Sequence, residues 1–182
     1  MPRALLPNVR VTRLRPDHAD AMFAWMQDPE VSRNLGLRNE PSIEKTRGWI
    51  TRALEDSQTC AFAIELDGRH IGNVVFDHID RYLSNARLSV YIGDIKARGT
   101  GAGFTGMYLA IREAFVNLGL NKIWLTVHTQ NTRAIAAYVK LGFQVEGLIR
   151  DDFRLDGQLV PTFHMGLLRR DFEKLSVPEA ST

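Results

Sequence analysis

Cysteine is almost missing from this chain of 182 residues: Cys60 is the only one. Its solitude excludes an intramolecular disulfide and fits a reducing, cytoplasmic compartment. Long apolar runs are missing too. No unbroken stretch exceeds six residues, as at 134–139, far below the roughly 18 that a membrane-spanning helix needs. Near the N-terminus only Ala4, Leu5 and Leu6 stand between Arg3 and Pro7, too little for a secretory signal. No membrane partner is expected. Net charge is low, +2, which argues against a protein that coats nucleic acid. His18, His70, His78, His128 and His164 lack paired ligand spacing, so no metal site is expected.

What the chain has is an ordinary globular make-up, 45% hydrophobic and 24% charged, which speaks against disorder. Its length suits one domain with a sizeable core, expected over residues 1–175 with a frayed tail over 176–182. Charge is unevenly spread. Between Asp94 and Lys140 six basic residues meet only two acidic ones. Any bound polyanion belongs there, with solvated surface charge as the plainer alternative.

Val9, Val11 and Leu14 interleave with Arg10, Thr12 and Arg13, predicting a first strand closed by Pro16. Asp17 is expected to cap a helix with Met22, Phe23, Trp25 and Met26 on its apolar face, stopped by Asp28-Pro29. Ser42 opens a second helix carrying Ile43, Thr46, Trp49, Ile50 and Leu54. The period then drops to two. Strands are predicted from Cys60, from Ile71 to Ile79 and from Asn85 to Ile92, with Asp67-Gly68 as a hairpin turn. Phe104, Met107, Tyr108, Ile111, Phe115 and Leu118 recur as one helical stripe. Ile123, Leu125 and Val127 face the core from the next strand, so Trp124, Thr126 and His128 face away. Asn131 caps a helix through Lys140, and two strands joined at Asp156-Gly157 close the chain. The fold class is therefore α+β (mixed α/β): a mixed, mostly antiparallel sheet of about seven strands flanked by four helices.

The segment Arg98-Gly99-Thr100-Gly101-Ala102-Gly103 lies between a strand and the buried helix. Its glycines allow turn geometries closed to other residues, and the helix start adds unpaired N–H groups and a partial positive charge. A phosphate or pyrophosphate is the natural guest, with Arg98 beside it. Phe104-Thr105 replaces the Lys-Ser/Thr that a nucleoside-triphosphate loop requires. Gly101-x-Gly103-x-x-Gly106 fits a dinucleotide fingerprint literally, yet the following strand lacks its acidic residue. A glycine turn with a purely structural role is the remaining local reading.

Two motifs at the right spacing resemble a known family. Arg98-x-x-Gly101-x-Gly103 after one strand, and the run from Asn131 to Phe143 after the next, are similar to the acetyl-CoA motifs of the GNAT superfamily of N-acetyltransferases. The likeness extends from about Val9 to Leu168. The opening Leu14-Arg15-Pro16 through Trp25 and Asp28-Pro29-Glu30 resembles the branch of ribosomal-protein N-terminal acetyltransferases. Gly147-x-x-Arg150-Asp151-x-Phe153-x-x-Asp156-Gly157 resembles its spermidine and nucleotide-amino-sugar acetyltransferases. The resemblance implies an acetyl-CoA-dependent transferase. Its pyrophosphate would lie on Arg98, Gly99, Thr100, Gly101, Ala102, Gly103 and Phe104, and its pantetheine arm along Tyr91, Ile92 and Gly93. Asn131 and Arg133 would also contact the CoA.

Aminolysis of a thioester requires a neutral amine, yet an alkyl ammonium with pKa around 10 is only about one part in a thousand neutral at pH 7. A group must take that proton, and another must supply one to the departing thiolate. The resemblance assigns the second role to Tyr138, which a core tyrosine would also explain. Where some members carry a glutamate base, this chain has Ser89 and Thr126. His128 is then the preferred base, with Asp94 and Glu30 as alternatives. Trp25, Glu30 and Arg33 are expected to wall the acceptor pocket beside Met26 and Trp49. Cys60 is remote from both motifs, so direct transfer in a ternary complex is expected. The acceptor is read as a small amine, a nucleotide-linked amino sugar or a polyamine. A protein N-terminus and a non-catalytic acyl-CoA sensor are the alternatives, and a homodimer is the expected assembly.

Overall fold

A computed structural model describes residues 4–37 and 39–175. The elements are β1 (Val9–Arg13), a 3-10 turn (Pro16–His18), α1 (Ala19–Met26), α2 (Pro29–Leu35), α3 (Ile43–Glu55), β2 (Cys60–Leu66), β3 (Arg69–Asp80) and β4 (Asn85–Ile92). They continue through a 3-10 turn (Ile95–Ala97), α4 (Ala102–Val116), β5 (Lys122–His128), α5 (Thr132–Lys140), β6 (Gln144–Leu155), β7 (Gln158–Leu168) and α6 (Arg169–Phe172). The expected tail at 176–182 lies outside the described residues. No described helix is long and apolar enough to cross a membrane.

Seven strands form one mixed sheet in the order β1-β2-β3-β4-β5-β7-β6. Only β4 and β5 run parallel, across the crossover helix α4. The β2 alternation explains how the sheet is held. Cys60, Phe62 and Ile64 enter a large core with Ile111 and Phe115 of α4, whereas Ala61 and Ala63 pack with Met22 of α1 and Ile50 of α3. Both faces are covered here, so both sets of side chains are buried. Fully burying a side chain such as Ile111 or Phe115 stabilises the fold by about 2 kcal/mol.

Four expectations change. Asp28-Pro29 ends α1 but also starts α2: Asp28 Oδ1 accepts the Glu30 N–H at 2.8 Å with Pro29 in the first turn, a favourable helix entry. Asp17 caps nothing. Its carboxylate binds the Arg15 guanidinium, and His18 Nδ1 takes the Arg15 N–H at 3.1 Å. The described residues form six α-helices instead of four, since α2 and the four-residue α6 are too short to show a period. His128 does leave the main core, yet it is buried at 7% exposure.

The sheet also divides. β4 pairs with β5 only at Asn85↔Lys122, Ala86↔Ile123 and Arg87↔Trp124. Beyond them β4 stays with β3 as far as Gly72↔Ile92, and β5 stays with β7 as far as His128↔Thr162. The opening between the two halves holds the site.

Candidate active site

A cavity of about 440 Å³ occupies this split. Val90, Tyr91 and Ile92 form one wall, the glycine segment and Phe104 another, and Asn131, Arg133 and Tyr138 a third. Glu30, Val31 and Asn34 of α2 close the remaining side.

The glycine segment is shaped by its backbone. Gly99 and Gly101 have φ of +80° and +105°, a region that side chains with a Cβ enter at a cost. A Cβ on Gly103 would lie 2.9 Å from Ile92 Cγ1, so α4 approaches β4 this closely only with glycine there. The N–H groups of Gly99, Gly101 and Gly103 find no acceptor among the described residues. With no acidic side chain in the first turn of α4, the helix start offers unpaired donors and partial positive charge. Thr100 and Ala102 brace the turn instead of lining it: the Thr100 hydroxyl donates to the Ala97 carbonyl at 2.8 Å and accepts the Ala102 N–H at 3.2 Å. Gly93 is held under α1, since a Cβ there would lie 1.9 Å from the Trp25 ring.

Arg98 corrects the sequence reading. Its guanidinium does not stand free for a phosphate: it binds Glu30 Oε2 at 2.9 Å, Asp28 Oδ2 at 3.4 Å and the Ile92 carbonyl at 3.2 Å, and is 13% exposed. Arg98 therefore fastens α2 to the end of β4. Arg133 has no ion-pair partner among the described residues and lies beside Gly99. It is the cation the glycine loop has available. The cavity is thus polarised, with Arg133 and Lys140 on α5 and the Glu30 carboxylate on α2.

Tyr138 projects from α5 with 9% exposure, beside Phe143 at 5.7 Å. Burial pushes its phenol up to about 12, so it holds its proton across the physiological range. Its hydroxyl bonds to no described residue. Asn131 does two things: Oδ1 caps α5 by accepting the Ala134 N–H at 3.1 Å, and the residue lines the cavity.

Other expected residues are placed elsewhere. His128 stacks on Phe153 at 5.0 Å, and neither ring nitrogen bonds to a described residue. Burial, and then nearby Arg33, lower its pKa. The ring is sealed under Phe153 and is not among the residues that line the cavity. Arg33 pairs with Asp156 at 2.5 Å, tying α2 to the β6–β7 turn. Trp25 packs behind β4 against His70 at 4.6 Å and Tyr91 at 6.1 Å. Asp94 caps the 3-10 turn through the Lys96 N–H and pairs with Arg69 at 3.0 Å. Sequence reasoning missed Asp28 and Asn34, although Asp before Pro29 was a readable helix start.

A split parallel pair, an open amide loop at a helix start and a protonated phenol form a cradle for a ligand with an anionic end, as the resemblance to acetyl-CoA-dependent transferases calls for. The family profile described as acetyltransferase (GNAT) domain matches residues 8–144, and the chain belongs to that family. It is 26% identical over 170 residues to spermidine N(1)-acetyltransferase of Escherichia coli (strain K12), covering 92% of this chain and 91% of that one. An uncharacterized N-acetyltransferase of Bacillus licheniformis is 27% identical over 166 residues, covering 88% and 92%. The crystal structure of Vibrio cholerae spermidine N-acetyltransferase in complex with CoA and spermine superimposes with a TM-score of 0.86 at 19% identity, over 93% of this chain and 100% of that one. This chain is accordingly an N-acetyltransferase with acetyl-CoA as co-substrate, and the open loop amides and the paired β4/α4 approach fit such a ligand.

Proposed function

We propose that this chain acetylates a primary amine of a small polycation, a polyamine, by direct attack in a ternary complex. The observation that carries the reading is the Glu30 carboxylate at the cavity, 60% exposed despite its bond to Arg98, with Asp28 beside it. A polyamine calls for carboxylates, whereas a sugar nucleotide calls for aromatic and basic groups on the acceptor side. The polyamine enzymes among the relatives support the same choice.

Acetyl-CoA supplies an activated thioester. The loop amides and Arg133 hold the anionic end, and Asn131 and Tyr91 border the path to the reacting carbon. Glu30 orients the cationic acceptor through charge. Tyr138 gives its proton to the departing sulfur, which a phenol held protonated at rest can do at any working pH.

Thiol release from acetyl-CoA, measured with polyamines, amino sugars and their nucleotide conjugates, and short peptides with free N-termini, tests the reading. Release with polyamines is expected. Release with only peptides or sugar nucleotides would overturn it, and acetyl-CoA binding without release from any pool would leave a sensor. A homodimer is the assembly we infer, supported by the exposed Val145, Leu148 and Ile149 of the edge strand β6, and light scattering measures it.

A further inference from the structure

We propose that His164, stacked on Trp124 and backed by Glu146, is the general base that receives the proton shed by the acceptor amine. The inference rests on the direct-transfer reading above.

The argument begins with the sheet face turned away from α4. Arg87 and Trp124 are partners in the last rung that joins β4 to β5. Two residues further along each strand stand Ser89 and Thr126, both exposed at the start of the split. Neither hydroxyl accepts a proton near neutral pH. Register places His164 directly across from Thr126, on the same face.

Most other titratable groups on this face are paired or packed away: His70 lies against His18 and Trp25, with Nε2 and Asn73 Oδ1 2.9 Å apart and Nδ1 buried without a partner among the described residues. Asp77 is locked to Arg87 by two bonds of 2.8 and 2.7 Å. Tyr91 accepts from Asn73 at 2.9 Å and has its pKa raised by burial. His128 is sealed under Phe153.

His164 differs from them in access and support. Its side chain is 31% exposed, and its ring lies flat on Trp124 at 5.1 Å and 24°. Nε2 is 3.7 Å from Glu146 Oε2, and the same carboxylate holds Lys122 Nζ at 2.7 Å. Glu146 on β6, Lys122 and Trp124 on β5, and the Arg87–Asp77 pair beyond Trp124 are the charged and aromatic groups around it. At 3.7 Å Nε2 and the carboxylate face each other without a hydrogen bond, and in the neutral ring one of the two nitrogens keeps a lone pair for the incoming proton. A carboxylate behind the ring stabilises the imidazolium that forms.

The transfer balances. The acceptor enters as an ammonium and leaves as an amide, so nitrogen sheds two protons: His164 takes the first through water, the neutral nitrogen bonds to the thioester carbon as the C–S bond breaks, and Tyr138 gives a proton to sulfur. The second proton from nitrogen returns through water to the phenolate, and His164 passes the first to solvent, so one proton is released per turnover.

The test is kcat/KM of the His164→Gln variant against pH, using the acceptor identified by thiol release. At pH 7 the variant is expected to lose about 10²-fold, the lower end of general-base catalysis. Its rate then climbs with the neutral fraction of the free amine, so the loss shrinks toward unity near pH 10.5. Glu146→Gln, which removes the carboxylate behind the ring, should lose part of the rate at pH 7 and recover it toward pH 10.5. An equal loss at pH 7 and 10.5, or no loss at pH 7, would overturn the assignment; acetyl-CoA affinity of the variant, expected unchanged, reports that it is folded. Failure of the unaltered protein to acetylate any amine would instead strike the direct-transfer reading itself.

Discussion

Replacing Tyr138 by phenylalanine separates catalysis from packing. The ring is 9% exposed, and the hydroxyl bonds to no described residue. Raising a phenol from 10 to about 12 corresponds to a burial penalty of about 3 kcal/mol on the phenolate. That penalty keeps the proton in place: at pH 9 only about one phenol in a thousand is ionised, against about one in ten for an unshifted group. Deleting a hydroxyl that has no protein partner and faces the cavity costs the fold little. Thermal stability should therefore stay level, within about 2–4 °C, the shift that about 1 kcal/mol gives at this chain length. The reaction loses its proton donor, so kcat should fall by about 10²-fold, as loss of a general acid does. The dissociation constant of acetyl-CoA should not move. The assays are thiol release, calorimetric binding and thermal unfolding on one preparation. A variant within twofold of the unaltered kcat would refute the proton-donor role, and an alkaline fall in kcat near pH 10 that vanishes on substitution would keep that role but refute the upward shift by burial.

Gly101→Ala forces a Cβ onto φ of +105°; with a backbone cost of roughly 1–2 kcal/mol, acetyl-CoA binding measured by calorimetry should weaken about tenfold, and unchanged affinity would free the loop of the role assigned to it. Arg98→Ala removes the clamp between α2 and β4, so the amine KM should rise about tenfold while acetyl-CoA affinity changes less than threefold; the reverse pattern would restore Arg98 to the phosphate. Burial comes first among the causes that lower the pKa values of His18, His70 and His128, so the unfolded chain binds more protons than the folded one as pH falls below about 6.5. Stability from these groups is full above that pH and is lost as acid drives each through its lowered folded pKa. Melting temperature should drop between pH 7 and 5, and less steeply in His128→Leu; a flat profile would contradict the burial.

The elements that carry a period, or a cap with a glycine stop, were legible. β2 and β4 run where alternation places them, Ser42 caps α3 through the Lys45 N–H, and Asn131 caps α5. Asp67-Gly68 and Asp156-Gly157 have the positive φ of tight hairpin turns. These signals are local. α2 was missed because seven residues barely complete two turns, and Pro29 reads as a stop unless the Asp28 cap is weighed with it. The site residues divide along the same line. The cradle is one continuous stretch whose backbone shape follows from its glycines, so the sequence located it. The direction of a long side chain does not follow from its own neighbours, which is why Arg98 was assigned to a phosphate and Arg33 to the acceptor.

His128 and His164 show the same limit in one strand pair. Alternation turns His128 away from the main core, and from the sequence that direction suggests solvent. Phe153 covers it from a β6 bulge that register alone reveals: Ile149 pairs with Thr162 and Phe153 with Val160, leaving three β6 residues against one on β7. The irregularity carries an aromatic ring over one histidine, and Gly36 at the end of α2 meets the other side of that ring. One rung earlier, where no such ring intervenes, His164 keeps its edge open beside Thr126. A base at this place needs partners from β5, β6 and β7 at once, and no window of sequence shorter than the 43 residues from Lys122 to His164 contains them. Chemistry assembled across a ladder is invisible to periodicity and follows only from register.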